Sequence, residues 1–175
     1  GVVGNGTNLT LDDNVLMNFT WNGIRSNGNW TSPTIPNTGS ISRNVSVYGG
    51  YYNNKPAEFM KCGDGGLFSI NGRNGSICNY IVDSNIFLYG NYYMAGRAVF
   101  FDDAMNGLTF TNNLCGMAGK FAVDLRNVGD STFNNKLTGN LFIGTVYVYS
   151  KNGKLKSEIS SNYISNASDF ILEGN

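Results

Sequence analysis

The sequence predicts an all-β chain wound into one single-stranded parallel β-helix, a solenoid of roughly seven coils that takes residues 1–175 as a single domain. Three observations predict it. Gly and Asn interrupt the chain every few residues, and both are poor in helix interiors, so little of the sequence keeps helical apolar spacing. Short runs rich in Val, Ile, Phe, Tyr and Thr lie between the interruptions, with period-2 alternation in Thr145-Val146-Tyr147-Val148-Tyr149 and in Phe121-Ala122-Val123-Asp124-Leu125-Arg126. The runs also repeat.

The repeat is a small or polar residue, an Asn, then an apolar pair: Ser84-Asn85-Ile86-Phe87, Asn112-Asn113-Leu114-Cys115, Gly139-Asn140-Leu141-Phe142 and Ser161-Asn162-Tyr163-Ile164. A second strand follows each: Ala98 to Phe101, Phe121 to Leu125, Val146 to Tyr149 and Phe170 to Leu172. Each of these leads into another Asn, at 106, 127, 152 and 175. A β-helix gives Asn a reason to recur. Its corners use the left-handed backbone region, which Asn tolerates, and stacked corners let one amide bond its copy on the next coil.

The first half reads the same way with less regularity. Residues 4–14 read as turn, strand, turn; 15–21 as a strand; and Ile41 to Tyr48 as another coil. Residues 22–40, with Trp30, Pro33 and Pro36 among Asn, Ser and Thr, are expected to form a loop leaving the stack. Gly63-Asp64-Gly65-Gly66 reads as a further turn. No capping helix shows at either end, so the ends are expected to be uncapped, with the chain a piece of something longer or covered by partner chains.

Composition excludes several classes of function. Lys+Arg and Asp+Glu both count 12, and a chain without a basic excess lacks the footprint that nucleic acid requires. The absence of His removes Ser-His-Asp and Cys-His catalysis and His-ligated metals. Apolar runs are too short for a membrane span. Cys62, Cys78 and Cys115 have no C-x-x-C spacing and read as small buried hydrophobes. No cofactor and no metal site is expected. The acidic pairs Asp12-Asp13 and Asp102-Asp103 are the weak exception, as oxygen ligands for Ca²⁺. Charged residues make up 14%, against roughly 25% in ordinary soluble domains. Neutral amides therefore dominate the polar surface, which suits a neutral hydrogen-bonding ligand or a structural rod.

The opening Gly-Val-Val-Gly-Asn-Gly-Thr-Asn-Leu-Thr-Leu-Asp-Asp-Asn-Val, with the later Ser-Asn-Ile-Phe and Gly-Asn-Leu-Phe segments, resembles the pectin-lyase-like right-handed parallel β-helices. Among these it looks most like phage tailspike and tail-fibre proteins, over residues 1–20 and 41–175. The resemblance implies a right-handed coil, a homotrimer, a place on the virion tail or outside the cell, and bacterial capsule or O-antigen polysaccharide as partner. Members of that superfamily are hydrolases, lyases, epimerases, shafts and adhesins, so the fold alone does not choose among them.

Candidate site residues come from aligning the second strands. With Phe101, Val123, Val148 and Leu172 inward, Asp102, Asp124, Tyr149 and Glu173 form one outward column, with Asp103 the alternative to Asp102. Asp102 and Asp124 on adjacent coils would lie roughly 5 Å apart, the carboxyl spacing of retaining glycosidases. In that reading Asp102, Asp124 and Glu173 are catalytic, while Tyr149 and Arg126 position the sugar. Lyase chemistry would draw on Lys120, Arg126 and Arg97 and ranks below hydrolysis. Trp21, Trp30, Tyr51, Tyr52, Tyr92 and Tyr93 fall beside Asn and Gly and read either as stacking platforms for sugar rings or as subunit contacts.

Overall fold

The computed structural model describes residues 2–4, 8–17, 19, 22–27, 36–49, 66–71, 77–90, 96–102, 106–127, 134–150, 157–165 and 170–173. Over these residues the chain is all-β, without a helix, and every strand pairing is parallel. Strand β1 (Val2–Gly4) comes first and triplets follow. These are β2 (Leu9–Asp12), β3 (Val15–Met17) and β4 (Ile24–Asn27), then β5 (Asn37–Ser42), β6 (Val45–Val47) and β7 (Phe68–Asn71). Next come β8 (Cys78–Asp83), β9 (Ile86–Leu88) and β10 (Arg97–Asp102). After β11 (Thr109–Thr111) and β13 (Lys136–Thr138), the long strands β12 (Leu114–Asn127) and β14 (Leu141–Ser150) each fill the second and third places. The last triplet is β15 (Glu158–Ser160), β16 (Tyr163–Ile164) and β17 (Phe170–Glu173).

Each strand pairs with its counterpart one triplet away, which produces three faces. The first face runs β2-β5-β8-β11-β13-β15. The second joins β3, β6, β9 and the starts of β12 and β14 to β16; the third joins β1, β4, β7, β10 and the ends of β12 and β14 to β17. Successive passes of chain thus lie over one another, an arrangement consistent with a β-solenoid. Inward residues fill the space between the faces. Ile41, Val82, Phe110 and Leu137 come from the first, Phe87, Cys115 and Phe142 from the second, and Phe68, Ile70, Phe101 and Val148 from the third. Phe68 stacks on Phe87 at 5.1 Å, and Phe101 meets Phe110 edge-on at 5.3 Å, so the core is tied together by aromatic contacts between faces.

The asparagines stack as the repeat predicts, and the stack is longer than the repeat showed. The backbone N–H of Asn14 donates to Oδ1 of Asn44, that of Asn44 to Asn85, and so on through Asn113 and Asn140 to Asn162, at 2.9–3.0 Å. Each side-chain Nδ2 along the row donates to the same oxygen, and most also reach a carbonyl of the preceding pass, such as Ile41 O for Asn85. Asn44, Asn85, Asn113 and Asn140 are buried, and this bonding is what makes buried amides tolerable. One detail of the prediction changes. The left-handed residue is the one before each ladder Asn, namely Asp13, Arg43, Ser84, Asn112, Gly139 and Ser161, with φ from 54° to 69°. The corner turns at that residue, and the Asn that follows points its amide into the stack.

The expected loop at 22–40 is corrected at both ends. Ile24–Asn27 is strand β4, paired with β1 and β7, and Asn37–Ser40 opens β5. Only Ile24 in Ile-Arg-Ser-Asn is apolar, so strand patterning is weak there, yet Ile24 is buried in the core. Residues 28–35 lie outside the described residues. Cys78 and Cys115 are buried free thiols, as expected, and Cys62 lies outside the described residues. Burial pushes the Cys78 thiol up to about 12 and the Cys115 thiol well above its ordinary value, so neither is a ready nucleophile.

Candidate functional site

The third face gathers charged and aromatic side chains on its outer side. Register decides which of them are vertical neighbours. Val99 lies opposite Val123, Val123 opposite Val146 and Val146 opposite Phe170. One residue further on, Phe100, Asp124, Tyr147 and Ile171 form a column. Two residues beyond that, Arg126, Tyr149 and Glu173 form another, and Asp102, opposite Asn71, continues the register to Arg126.

The expected column of Asp102, Asp124, Tyr149 and Glu173 is therefore corrected at one place. Asp124 sits two residues out of it and Arg126 occupies the vacant rung. The cause is period-2 degeneracy. Val123 and Leu125 both point inward, so a slip of two residues leaves the inside-outside pattern unchanged and is invisible to alternation. Ala98 with Val99, and Ala122 with Val123, are each adjacent residues buried in the core, so strict alternation breaks on both strands, and β12 shows register shifts against β14 around Phe121.

Asp124 is fully buried, and each of its oxygens is taken by a guanidinium. Arg97 Nε donates to Oδ2 at 2.5 Å and Arg126 Nε to Oδ1 at 2.9 Å. Arg97 is itself buried and lies over the Phe100 ring, 3.9 Å from its centroid. Burial works against the charge of Arg126, but its hydrogen bond to Asp124 and the charges of Asp124 and Asp102 hold its affinity for the proton above the ordinary value. The outer side of β12 is thus an ionic cluster where a catalytic carboxylate was expected.

Aromatic groups stand beside the cluster. Phe121 stacks on Tyr147 with ring centroids 5.3 Å apart, and the Lys120 ammonium lies 4.7 Å from the Phe121 centroid. The Tyr147 hydroxyl donates to Glu173 Oε2 at 2.6 Å. That bond, with burial and the Glu173 charge adding, pushes the Tyr147 phenol up to about 12. Glu173 is exposed, while Asp102 and Tyr149 are half-buried.

The structure therefore brings Asp102, Asp124, Arg126, Tyr149 and Glu173 onto one face. Trp21, Trp30, Tyr51, Tyr52, Tyr92 and Tyr93 lie outside the described residues. Phe100, Phe121 and Tyr147 were missed, because an apolar or aromatic residue in an alternating run reads as core unless the register is known. Among the described residues no cluster of three His, Cys, Asp or Glu could hold a metal. Asp12 and Asp13 accept instead from Arg43, at 2.9 Å for Asp13, and Asp103 lies outside the described residues. No helix of the described residues is long and apolar enough to cross a membrane. Comparison with protein-family models, with curated proteins and with solved structures returned no match for this chain.

Proposed function

We propose that the chain is a right-handed parallel β-helix of the phage tailspike and tail-fibre type that recognises bacterial capsule or O-antigen polysaccharide on the outer side of its third face. In this reading it has roughly seven coils, β1 belonging to the first of them, works as a homotrimer, and sits on a virion tail or outside the cell. The observation that carries the binding reading is the Phe121–Tyr147 stack flanked by Arg126 and by the Tyr147–Glu173 hydrogen bond. A ring plane beside fixed donors and acceptors on a rigid sheet matches a sugar, which has an apolar face and a rim of hydroxyls.

Cleavage is the weaker reading. Asp102 and Asp124 are one rung and two residues apart, which sets their Cα atoms about 8 Å from each other and removes the roughly 5 Å rung-to-rung spacing expected of a retaining pair. Asp124, however, has both oxygens occupied and none of its surface exposed, so it would have to leave two arginines before it could activate water. Asp102 and Glu173 remain as carboxylates for hydrolysis, and Arg97, Arg126 and Lys120 as cations for a lyase.

The test is incubation with purified capsular and O-antigen polysaccharides, followed by retention and sizing of the sugar. Retention without shortening is expected, weakened at least tenfold by Tyr147→Ala. New reducing ends would show hydrolysis, and absorbance from an unsaturated uronate would show a lyase. Neither retention nor cleavage on a broad glycan panel would leave a structural rod.

A further inference from the structure

The second face differs from the other two in what it shows to solvent. Its inward row supplies core, with Phe87, Cys115 and Phe142 fully buried. Its outward row is apolar as well. Val15, Val45, Ile86, Leu114, Leu141 and Tyr163 stand in register one above the next, and a parallel row runs beside them from Met17 to Ile143. Val15 is 67% exposed and Tyr163 65%, and Met17, Ile86 and Leu141 are exposed too. The first face shows what an ordinary solvated side of this chain looks like. Its matching outward row is Thr10, Ser40, Ile81, Thr109, Lys136 and Glu158, polar at every rung but one. The same chain with the same inward pattern has therefore made one outer surface wet and the other dry.

The corner after the second face widens the dry surface. Tyr48 and Tyr89 stack in parallel, 4.9 Å apart and 5° from coplanar, and Met117 follows on the next pass; all three are exposed. Parallel strands that read as unbroken apolar runs, such as Ile86-Phe87-Leu88 and Leu141-Phe142-Ile143, belong to sheets covered on both sides.

We infer that this face is where copies of the chain meet. Among the described residues neither outward row carries a charge, so the surface offers nothing to an anionic polymer or a cation. An uncharged sheet face with a regular rung spacing is matched in period and chemistry by the same face of another copy. The size also fits. Six rungs and the adjoining corner outline a patch about 29 Å by 13 Å. Two such patches, with side-chain relief, cover on the order of 1,000 Å² in total, the lower bound for a specific interface. The inference rests on the assembly part of the reading above and gives it a contact face; sugar recognition is read on a different face by a different assay, so the two fail separately.

The test is sedimentation of the full chain at micromolar concentration, wild type against Ile86→Lys/Leu141→Lys. Both positions point outward, so circular dichroism and the melting temperature should change little. The expected result is a trimer for the wild type and at least a tenfold weaker association for the variant. Thr109→Lys, on the wet face, should leave assembly intact. Ile86→Cys gives a second reading that needs no added charge, since mild oxidation should link chains in pairs through that position. A monomeric wild type, or an oligomer unmoved by the double lysine variant and uncrosslinked through Ile86→Cys, would overturn the inference.

Discussion

Asn113 occupies the middle of the amide ladder and uses every bond it can make. It accepts from the backbone N–H and Nδ2 of Asn85, and donates from its own backbone and Nδ2 to Asn140, with Val82 O as a further acceptor. Replacing it with Ala strands the buried backbone N–H of Asn85 and removes the Nδ2 donor from Val82 O and Asn140 Oδ1, the latter keeping the backbone N–H of residue 113. Asn113→Ala should therefore cost about 2–4 kcal/mol, read from chemical denaturation. The residue before each ladder Asn carries the opposite kind of cost, a left-handed backbone on an L side chain. Ser161→Gly relieves it at an exposed corner and should stabilise by about 0.5–1 kcal/mol. The stack at Asn85, Asn113, Asn140 and Asn162 was legible because each is followed by an apolar pair. Asn44 escaped because Ser46 breaks that pair, and because 41 residues separate it from its partner Asn85. Tyr147 yields a pH prediction. Its folded pKa lies above the unfolded value near 10, so the folded chain keeps a proton that the unfolded chain releases between there and about 12. The resulting stabilisation is complete below pH ~10 and disappears as pH rises through the folded value. Tyrosinate absorbance should show Tyr147 and the buried Tyr80 titrating late, and Glu173→Gln should bring the Tyr147 phenol alone back toward the ordinary range.

At the scale of strands, the short elements were harder to see than the long ones. β12 and β14 announce themselves by alternation over many residues, whereas β4 has one apolar residue in four and is recognisable only by its pairing with β1 and β7. Alternation also says nothing about slips of two, which is why the carboxylate column came out one strand-pleat wrong at Asp124. The ion pairs that result hold β10 to β12 across their outer side. Asp124→Ala leaves Arg97 buried without this carboxylate and should cost about 3–5 kcal/mol. An Asp124→Ala protein that melts like the wild type would mean the cluster contributes nothing to strand packing, and would return Asp124 to the list of groups kept for chemistry.

Over the whole molecule, one core runs through the stack and contains residues from all three faces. Cys78 and Cys115 lie in that core on different faces, so a thiol reagent reaches them only when passes of chain separate. In a Cys62→Ser background, labelling of both should be slow in native buffer and should rise together with the unfolding transition followed by circular dichroism. Labelling of one far ahead of the other would mean that the stack opens in sections. The amide ladder has a consequence for how such a chain can vary. Between successive ladder asparagines the chain length ranges from 22 to 41 residues, while the backbone N–H to Oδ1 bonds joining them stay at 2.9–3.0 Å. The frame thus tolerates very different amounts of intervening chain, and doubling such a span adds only about 0.6 kcal/mol of closure entropy. Peptides could be spliced between those anchors, or trimmed from them, without re-engineering the scaffold that presents them.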